Sequence, residues 1–337
     1  MFGWVSAYVF ILRAGGYCDR TSGMRNSPRV LFTLLVLSSL WAQTPVEADH
    51  HQHLLSPAAA ARAGVKPISA SDLIREMDRA GIRRAAVLSV AYGFGNPNKV
   101  AVENEYAQVR AENDWTSVEV AKYPVRLRGF CSVNPLKAYA LDEIARCAKD
   151  PHVHYGLKLH FGNSDVQLEN PTHLEQVRRV FRTANEHKMA IAVHMHSTVN
   201  LKRPYGAEQA RMFLGELLPV APDITVQIAH LAGAGGYDEV ATDDAVGVFV
   251  DAVKRRDPRM TRVYFDASGV AGLGNWQERA ALIAQRMREL GLGRILYGSD
   301  APVPGNLPVD VLAKFRQLPL SKAEFQTIES NVAPYLK

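Results

Sequence analysis

From residue 49 to the end of the chain, short apolar runs alternate with stretches of helical spacing. Residues 84–92, 128–134, 156–160, 190–196, 224–230, 263–268 and 294–300 are short, apolar and partly β-branched, the pattern of buried strands. The stretch ending at residues 49–53 makes an eighth. Between the strands lie segments with apolar residues three and four apart: 69–80 (Leu73, Ile74, Met77), 98–121, 139–148, 171–187 (Val177, Val180, Phe181), 206–218, 243–255 and 276–290. Two more, 309–317 and 321–332, close the chain. Ser71 or Asp72 suits the N-cap of segment 69–80, and Gly81 its stop. Strands alternating with helices mean βαβ units and a parallel sheet. Eight units over about 290 residues predict one domain, a closed (β/α)8 TIM barrel of the α/β class.

Glycine placement narrows the choice. No Gly-x-Gly-x-x-Gly follows the first strand, which argues against a dinucleotide-binding fold. Gly233, Gly235 and Gly236 follow the sixth strand without a phosphate-loop lysine and read as a rim loop.

The first 42 residues differ from the rest. Residues 24–29 are basic, residues 30–40 are apolar, and Ala42 offers a cleavage site, although Leu40 at the −3 position departs from the usual small residue. Residues 1–42 therefore read as a signal segment, with Met24 the suspected true start and residues 43–337 the barrel. An uncleaved membrane anchor is the alternative. No later run reaches the ~18 apolar residues of a span, so the mature chain is expected to be exported with no stable membrane span.

Charge and cysteine change little. The net charge is +5; residues 1–42 carry four arginines and one aspartate, which leaves +2 for the remainder. Nucleic acid is not an expected partner. A small-molecule substrate is, and a homodimer stays open. Cys131 falls in a strand and Cys147 in a helix, so two buried thiols are expected rather than a bond.

Candidate chemistry gathers at strand ends. Catalytic residues of a (β/α)8 barrel come from the C-terminal ends of its strands. His51 and His53 end the first strand, where alternation puts both imidazoles on one face, able to share a metal ion. Lys158 and His160 end the fourth, His194 and His196 the fifth, His230 the sixth and Asp300 the eighth. Only 11 histidines occur in the chain, and six of them lie at these ends, which scatter would not produce. Tyr92, Asn134 and Asp266 lie at or near strand ends as weaker candidates for shaping the pocket, with a rim aromatic the alternative for Tyr92 and a loop cap the alternative for Asp266.

Five motifs carry a resemblance. They are Asp49-His50-His51-Gln52-His53, Gly156-Leu157-Lys158-Leu159-His160, Ile191-Ala192-Val193-His194, Ala229-His230-Leu231-Ala232-Gly233 and Ile295-Leu296-Tyr297-Gly298-Ser299-Asp300-Ala301-Pro302. In this order they resemble the amidohydrolase superfamily, in particular the amidohydrolase-related group of aminocarboxymuconate-semialdehyde decarboxylase-like proteins and lactone hydrolases. The resemblance implies that His51, His53 and His194 bind a metal. It implies that Asp300 binds the metal and its water and shuttles the proton, and that His230 activates water or polarises the substrate. Three imidazoles and a carboxylate suit one Zn²⁺, with Mn²⁺ an alternative. Lys158 reads as a substrate-facing cation; if carboxylated, it would bring in a second metal. His160 and His196 are candidate substrate contacts.

The expected activity is metal-dependent hydrolysis of a C–O or C–N bond in a small lactone, ester or amide. The alternative is non-oxidative decarboxylation of an aromatic or unsaturated acid, with Lys158, Arg203 and Arg211 as available cations for its carboxylate. A non-catalytic barrel that binds metal or ligand is a third reading.

Overall fold

The computed structural model describes residues 45–198, 203–237, 240–301 and 306–337. The signal segment read at residues 1–42 lies outside them. Among the described residues, no helix is long and apolar enough to cross a membrane.

Eight strands follow one another around a parallel sheet: β1 (Val46–Gln52), β2 (Ile82–Leu88), β3 (Leu127–Ser132), β4 (Gly156–His160), β5 (Ala190–His194), β6 (Val226–Ile228), β7 (Val263–Asp266) and β8 (Ile295–Leu296). Backbone bonds between β1 and the segment after β8 bring the ends together. His50 N donates to Tyr297 O (2.9 Å), Asp300 N to His51 O (2.8 Å) and His53 N to Ala301 O (2.9 Å). The architecture is the (β/α)8 TIM barrel that the alternation predicts.

The main core fills the space between the outer faces of the strands and the helices. Leu73, Met77, Ile144, Val177, Phe181 and Phe249 pack there against Val87, Leu157, Ile191 and Ile228. A smaller apolar group, with Ala48, Ala86, Leu88, Phe130, Ala190 and Ala192, occupies the opposite face of the strands, the barrel interior. Leu336 belongs to it, with Tyr335 packed alongside, so the C-terminal segment plugs this interior. Gly156 is required here: a Cβ would lie 2.2 Å from the Phe130 ring.

One irregularity in β1 sets the orientation of the site. Asp49 pairs with Ala85, but Gln52 pairs with Val87. Three steps on β1 thus match two on β2. The extra residue is a bulge, which moves the following side chains to the other face. His50 before it and His51 after it both turn inward.

Several boundaries differ from the pattern. The helix of segment 69–80 is Ala70–Ala80, and its N-cap is Ser69, not Ser71 or Asp72; Asp72 completes a capping box by accepting from the Ser69 backbone. Gly81 is the stop, at φ 68°. The helix expected over 98–121 begins only at Glu105, residues 97–104 forming a largely exposed loop. Segment 206–218 is α-helical over Ala207–Met212 and widens to a π-turn over Phe213–Leu217. A helix at Pro57–Ala63 has no apolar periodicity to announce it; Ser56 caps it and Pro57 occupies its first turn. The sixth strand stops at Ile228 and the eighth at Leu296, before the residues that matter most.

The two cysteines are also a correction. Cys131 and Cys147 form a disulfide, with Cα atoms 6.1 Å apart. Their strand and helix assignments were sound, but Cys131 sits on the outer face of β3, where the helix Ala140–Cys147 packs. Periodicity alone does not reveal that meeting.

Candidate metal centre

The strand-end candidates converge on one cavity of about 220 Å³. His51, His53, Lys158, His160, His194, His230 and Asp300 all line it, with Tyr92 and Leu55. His196 does not. It lies one pleat beyond the end of β5, its ring tilted against that of Tyr205 with centroids 3.9 Å apart. The other cations proposed for the pocket are also placed elsewhere. Arg203 pairs with Asp165 (2.9 Å), and Arg211 is exposed outside the lining.

Ligand atoms of His51, His53 and Asp300 all lie within 4.8 Å of one another. Asp300 Oδ1 lies 3.5 Å from His51 Nε2 and 3.2 Å from His53 Nε2. Ligands about 2.0–2.1 Å from a tetrahedral ion stand about 3.3–3.4 Å apart, so these three atoms fit one metal. His194 is not in this cluster. Its Nε2 is nonetheless buried with no hydrogen-bond partner, and an orphaned imidazole nitrogen in a polar cavity is a donor awaiting an acceptor.

Tautomers explain why these nitrogens are free. His53 Nδ1 is 2.7 Å from Leu88 O, and His230 Nδ1 is 2.9 Å from Ser268 O. A carbonyl only accepts, so each Nδ1 carries the proton and each Nε2 keeps a lone pair. His51 Nδ1 faces the Asp266 carboxylate at 3.0 Å and is fixed in the same way. The Nε2 lone pair of His51 accepts from Lys158 Nζ (3.1 Å), and it is the same lone pair that a metal would take.

Electrostatics follow from burial. Burial pushes the His51 imidazole down to about 3, with Lys158 adding to the shift. Burial also holds His194 well below its ordinary range, helped by the neighbouring His160, on which it stacks at 3.9 Å. Lys158 is lowered to about 8 by burial, opposed by Asp300 and Asp266. For Asp300, burial would raise the carboxyl, but His51 and His53 together hold it well below the carboxylate range. Burial thus favours neutral imidazoles at His51 and His194 while Asp300 stays a carboxylate, the states that metal ligands require.

Asp266 is the residue the sequence undervalued. It does cap a loop, accepting from His230 N (3.0 Å) and Ser268 N (3.1 Å). It also orients His51, and burial is again overcome by that neighbour, so its carboxyl stays well below the usual range. Gln227 Nε2 donates to Asp266 Oδ2 (2.6 Å) and to His50 O (3.0 Å), and Tyr335 Oη donates to Gln227 Oε1. A hydrogen-bonded chain thus runs from the C-terminal plug to His51. A carboxylate at the end of the seventh strand, two residues before a serine, was the available signal.

Tyr92 is a buried wall of the cavity, not a rim aromatic; its ring lies 5.0 Å from that of His160. Asn134 faces away. It donates to Gly95 O (2.7 Å) and pins the loop after β2.

The backbone is strained where two of the candidate side chains project. His230, Leu231 and Ala232 have φ of 56°, 47° and 63°, and Asp300 has 56°. Non-glycine residues in this region cost about 1–3 kcal/mol each and persist only when held. Here Asp266 holds His230 N, Tyr205 Oη holds Ala232 O, and Asn306 Nδ2 holds Asp300 O (3.0 Å).

Known proteins fit this geometry. A model of the amidohydrolase family matches residues 48–329. No curated protein matches. Among solved structures, 5-carboxyvanillate decarboxylase from Sphingomonas paucimobilis is similar at TM-score 0.58 and 15% identity, over 85% of this chain and 97% of that one. A "probable 2-pyrone-4,6-dicarboxylic acid hydrolase" from Acinetobacter baumannii gives 0.53 and 16%, over 84% and 96%. An amidohydrolase from Burkholderia multivorans with bound zinc gives 0.56 and 13%, over 85% and 96%. At such identities the likeness is one of fold. The family match, over most of the chain, carries more: this protein belongs to the amidohydrolase family.

Proposed function

We propose that the protein is a metal-dependent hydrolase that cleaves a C–O or C–N bond in a small lactone, ester or amide. The observation that carries this is the convergence of His51 Nε2 and His53 Nε2 on Asp300 Oδ1, at 3.5 and 3.2 Å, with lone pairs fixed by the Nδ1 acceptors. These three would hold one divalent ion, with His194 Nε2 a further donor in the same cavity. Such an ion supplies Lewis acidity, acidifying a water towards a pKa of about 7 and polarising a carbonyl. Zinc suits this nitrogen-rich set, and one structure of similar fold carries it.

The remaining work falls to the chain. Asp300 meets both imidazoles through Oδ1, which leaves its second oxygen to take the proton of the attacking water and return it to the leaving group. His230 Nε2 accepts from that water. Lys158 Nζ offers positive charge where the carbonyl oxygen gains negative charge.

A decarboxylase is the second reading, favoured by one observation: Lys158 is a cavity cation, 1% exposed, placed to hold a substrate carboxylate. In that case the C–C bond to the carboxylate breaks, CO₂ leaves, and the carbon takes a proton that Asp300 relays from a water molecule, hydroxide being left behind. Fold and ligands serve both chemistries, and the structures of similar fold include both kinds. The test is metal content by elemental analysis, followed by turnover of lactones, nitrophenyl esters and amides against CO₂ release from aromatic acids. About one ion per chain with ester or lactone turnover supports hydrolysis. CO₂ release without hydrolysis moves the protein to the second reading. Two ions per chain bring in a carboxylated Lys158. Bound metal with no turnover, and ligand binding intact in Asp300→Asn, leaves a binding barrel. No metal in folded protein supplied with zinc or manganese defeats all of these except a ligand-binding barrel.

Export is part of the proposal. The Cys131–Cys147 disulfide supports it, since such bonds persist in oxidising compartments. N-terminal sequencing of exported protein should find a start near Gln43; a start at residue 1 overturns the cleavage.

A further inference from the structure

A second cavity of about 280 Å³ adjoins the metal side, and the catalytic reading does not use it. Leu55, Val90 and Tyr92 line both cavities, so the two share a wall. The second is formed by the helix Pro57–Ala63 after β1, the loop after β2 and Asn163 after β4. Its floor is apolar and built. Leu55, Ala59 and Phe94 belong to a hydrophobic cluster separate from the barrel cores, and Asn134 pins the loop that bears Phe94.

Its polar groups are of one kind. Arg62 and the exposed Lys99 line the cavity, and neither has an ion-pair partner among the described residues. Arg62 Nε is fixed to Gly93 O (3.1 Å), its guanidinium stands 6.0 Å from the Phe94 ring, and one of its terminal nitrogens has no hydrogen-bond partner. Asn96 and Asn163 meet there, 3.4 Å apart, and add amide donors. The lining residues include no carboxylate. Two unpaired cations over an apolar floor match a ligand with an apolar body and an anionic end.

We propose that this cavity is a substrate subsite, and that the substrate is an elongated acid: its reacting carbonyl lies at the metal, its apolar body crosses Leu55 and Val90, and a remote carboxylate is held by Arg62 and Lys99. The proposal rests on the metal-centre reading and adds the substrate class. A guanidinium already positioned by Gly93 O loses little freedom in meeting a carboxylate.

The test uses alkyl hydroxamates, which chelate an active-site metal. Two series of increasing chain length are compared on the metal-loaded protein by calorimetry, one ending in a carboxylate and one in a methyl group. At the best length the carboxylate series should bind about tenfold tighter than its methyl counterpart. Arg62→Gln/Lys99→Gln should abolish that advantage and leave the methyl series unchanged. Equal affinities in the two series, or an advantage that survives the double variant, overturn the subsite while leaving the metal centre standing. A protein that binds neither series overturns the metal centre, and the subsite with it.

Discussion

His50 and His51 are neighbours in sequence, both fully buried and both turned into the barrel, yet one is spent and the other is available. His50 uses both ring nitrogens: Nδ1 donates to Tyr297 O (2.9 Å) and Nε2 accepts from Ala333 N (3.2 Å). It ties the first strand to the eighth and to the C-terminal segment. His51 Nδ1 is held by Asp266, while its Nε2 turns to the cavity, where it meets Lys158, Asp300 and His53. The bulge between Asp49 and Gln52 separates these fates. The same contrast holds for the two ends of the barrel. The plugged end, with Tyr335 and Leu336, closes its polar groups on one another. The other end leaves imidazole lone pairs exposed to a cavity and tolerates left-handed backbone at His230 and Asp300. Function lies where satisfaction is incomplete.

The harshest test of this contrast is His51→Ala/His53→Ala. Metal content should fall from about one ion per chain to none, and turnover by about 10³-fold or more, since a Lewis-acid metal contributes several kcal/mol. Circular dichroism should show the fold intact. Retained metal would mean the ligands lie elsewhere. His50→Ala should do the reverse. It leaves Tyr297 O and Ala333 N unpaired and buried, for a loss of about 2–4 kcal/mol in denaturant unfolding, with metal affinity within about twofold of the parent. A large loss of metal in His50→Ala would erase the distinction between the two residues.

How much of this was legible depended on whether a local pattern carried it. The eight-strand alternation was legible because each unit buries one stripe or run. The positions of His51, His53, His194, His230 and Asp300 were legible because they close apolar runs. The bulge was not, since an extra residue in a strand leaves no periodic trace over seven residues. Alternation paired His51 with His53 and would put His50 on the opposite face, whereas the bulge turns both His50 and His51 inward. Asp266 was open to two readings, weak pocket candidate or loop cap, because its task on His51 Nδ1 depends on a contact 215 residues away. His196 looked equivalent to His194 by alternation, but β5 ends at His194 and the chain turns toward Tyr205. The disulfide and the Ser69 cap likewise depend on packing or on backbone geometry that residue spacing does not encode.

Asp266→Asn gives the next effect in size. The carboxylate that holds His51 in its ligand tautomer becomes an amide, and metal affinity should fall about 10–100-fold in a chelator competition. An unchanged affinity would reduce Asp266 to the loop cap it also is.

The smallest effect is the sharpest test of whether the two ends are separate. Tyr335 lies in the plug, yet its hydroxyl bonds Gln227, whose amide bonds Asp266. Tyr335→Phe removes one hydrogen bond and leaves Gln227 Oε1 unpaired, so stability should fall by about 1 kcal/mol. If Gln227 only fills space, metal affinity will not move. If it steadies Asp266, affinity should fall a few-fold. Combining Tyr335→Phe with Asp266→Asn should then cost less than the two separately, with a coupling of about 0.5 kcal/mol or more, because both act on the orientation of His51. Strict additivity would mean that the plug and the metal side are independent. Coupling would mean that the C-terminal residues, remote from the cavity, are part of what aims its first ligand.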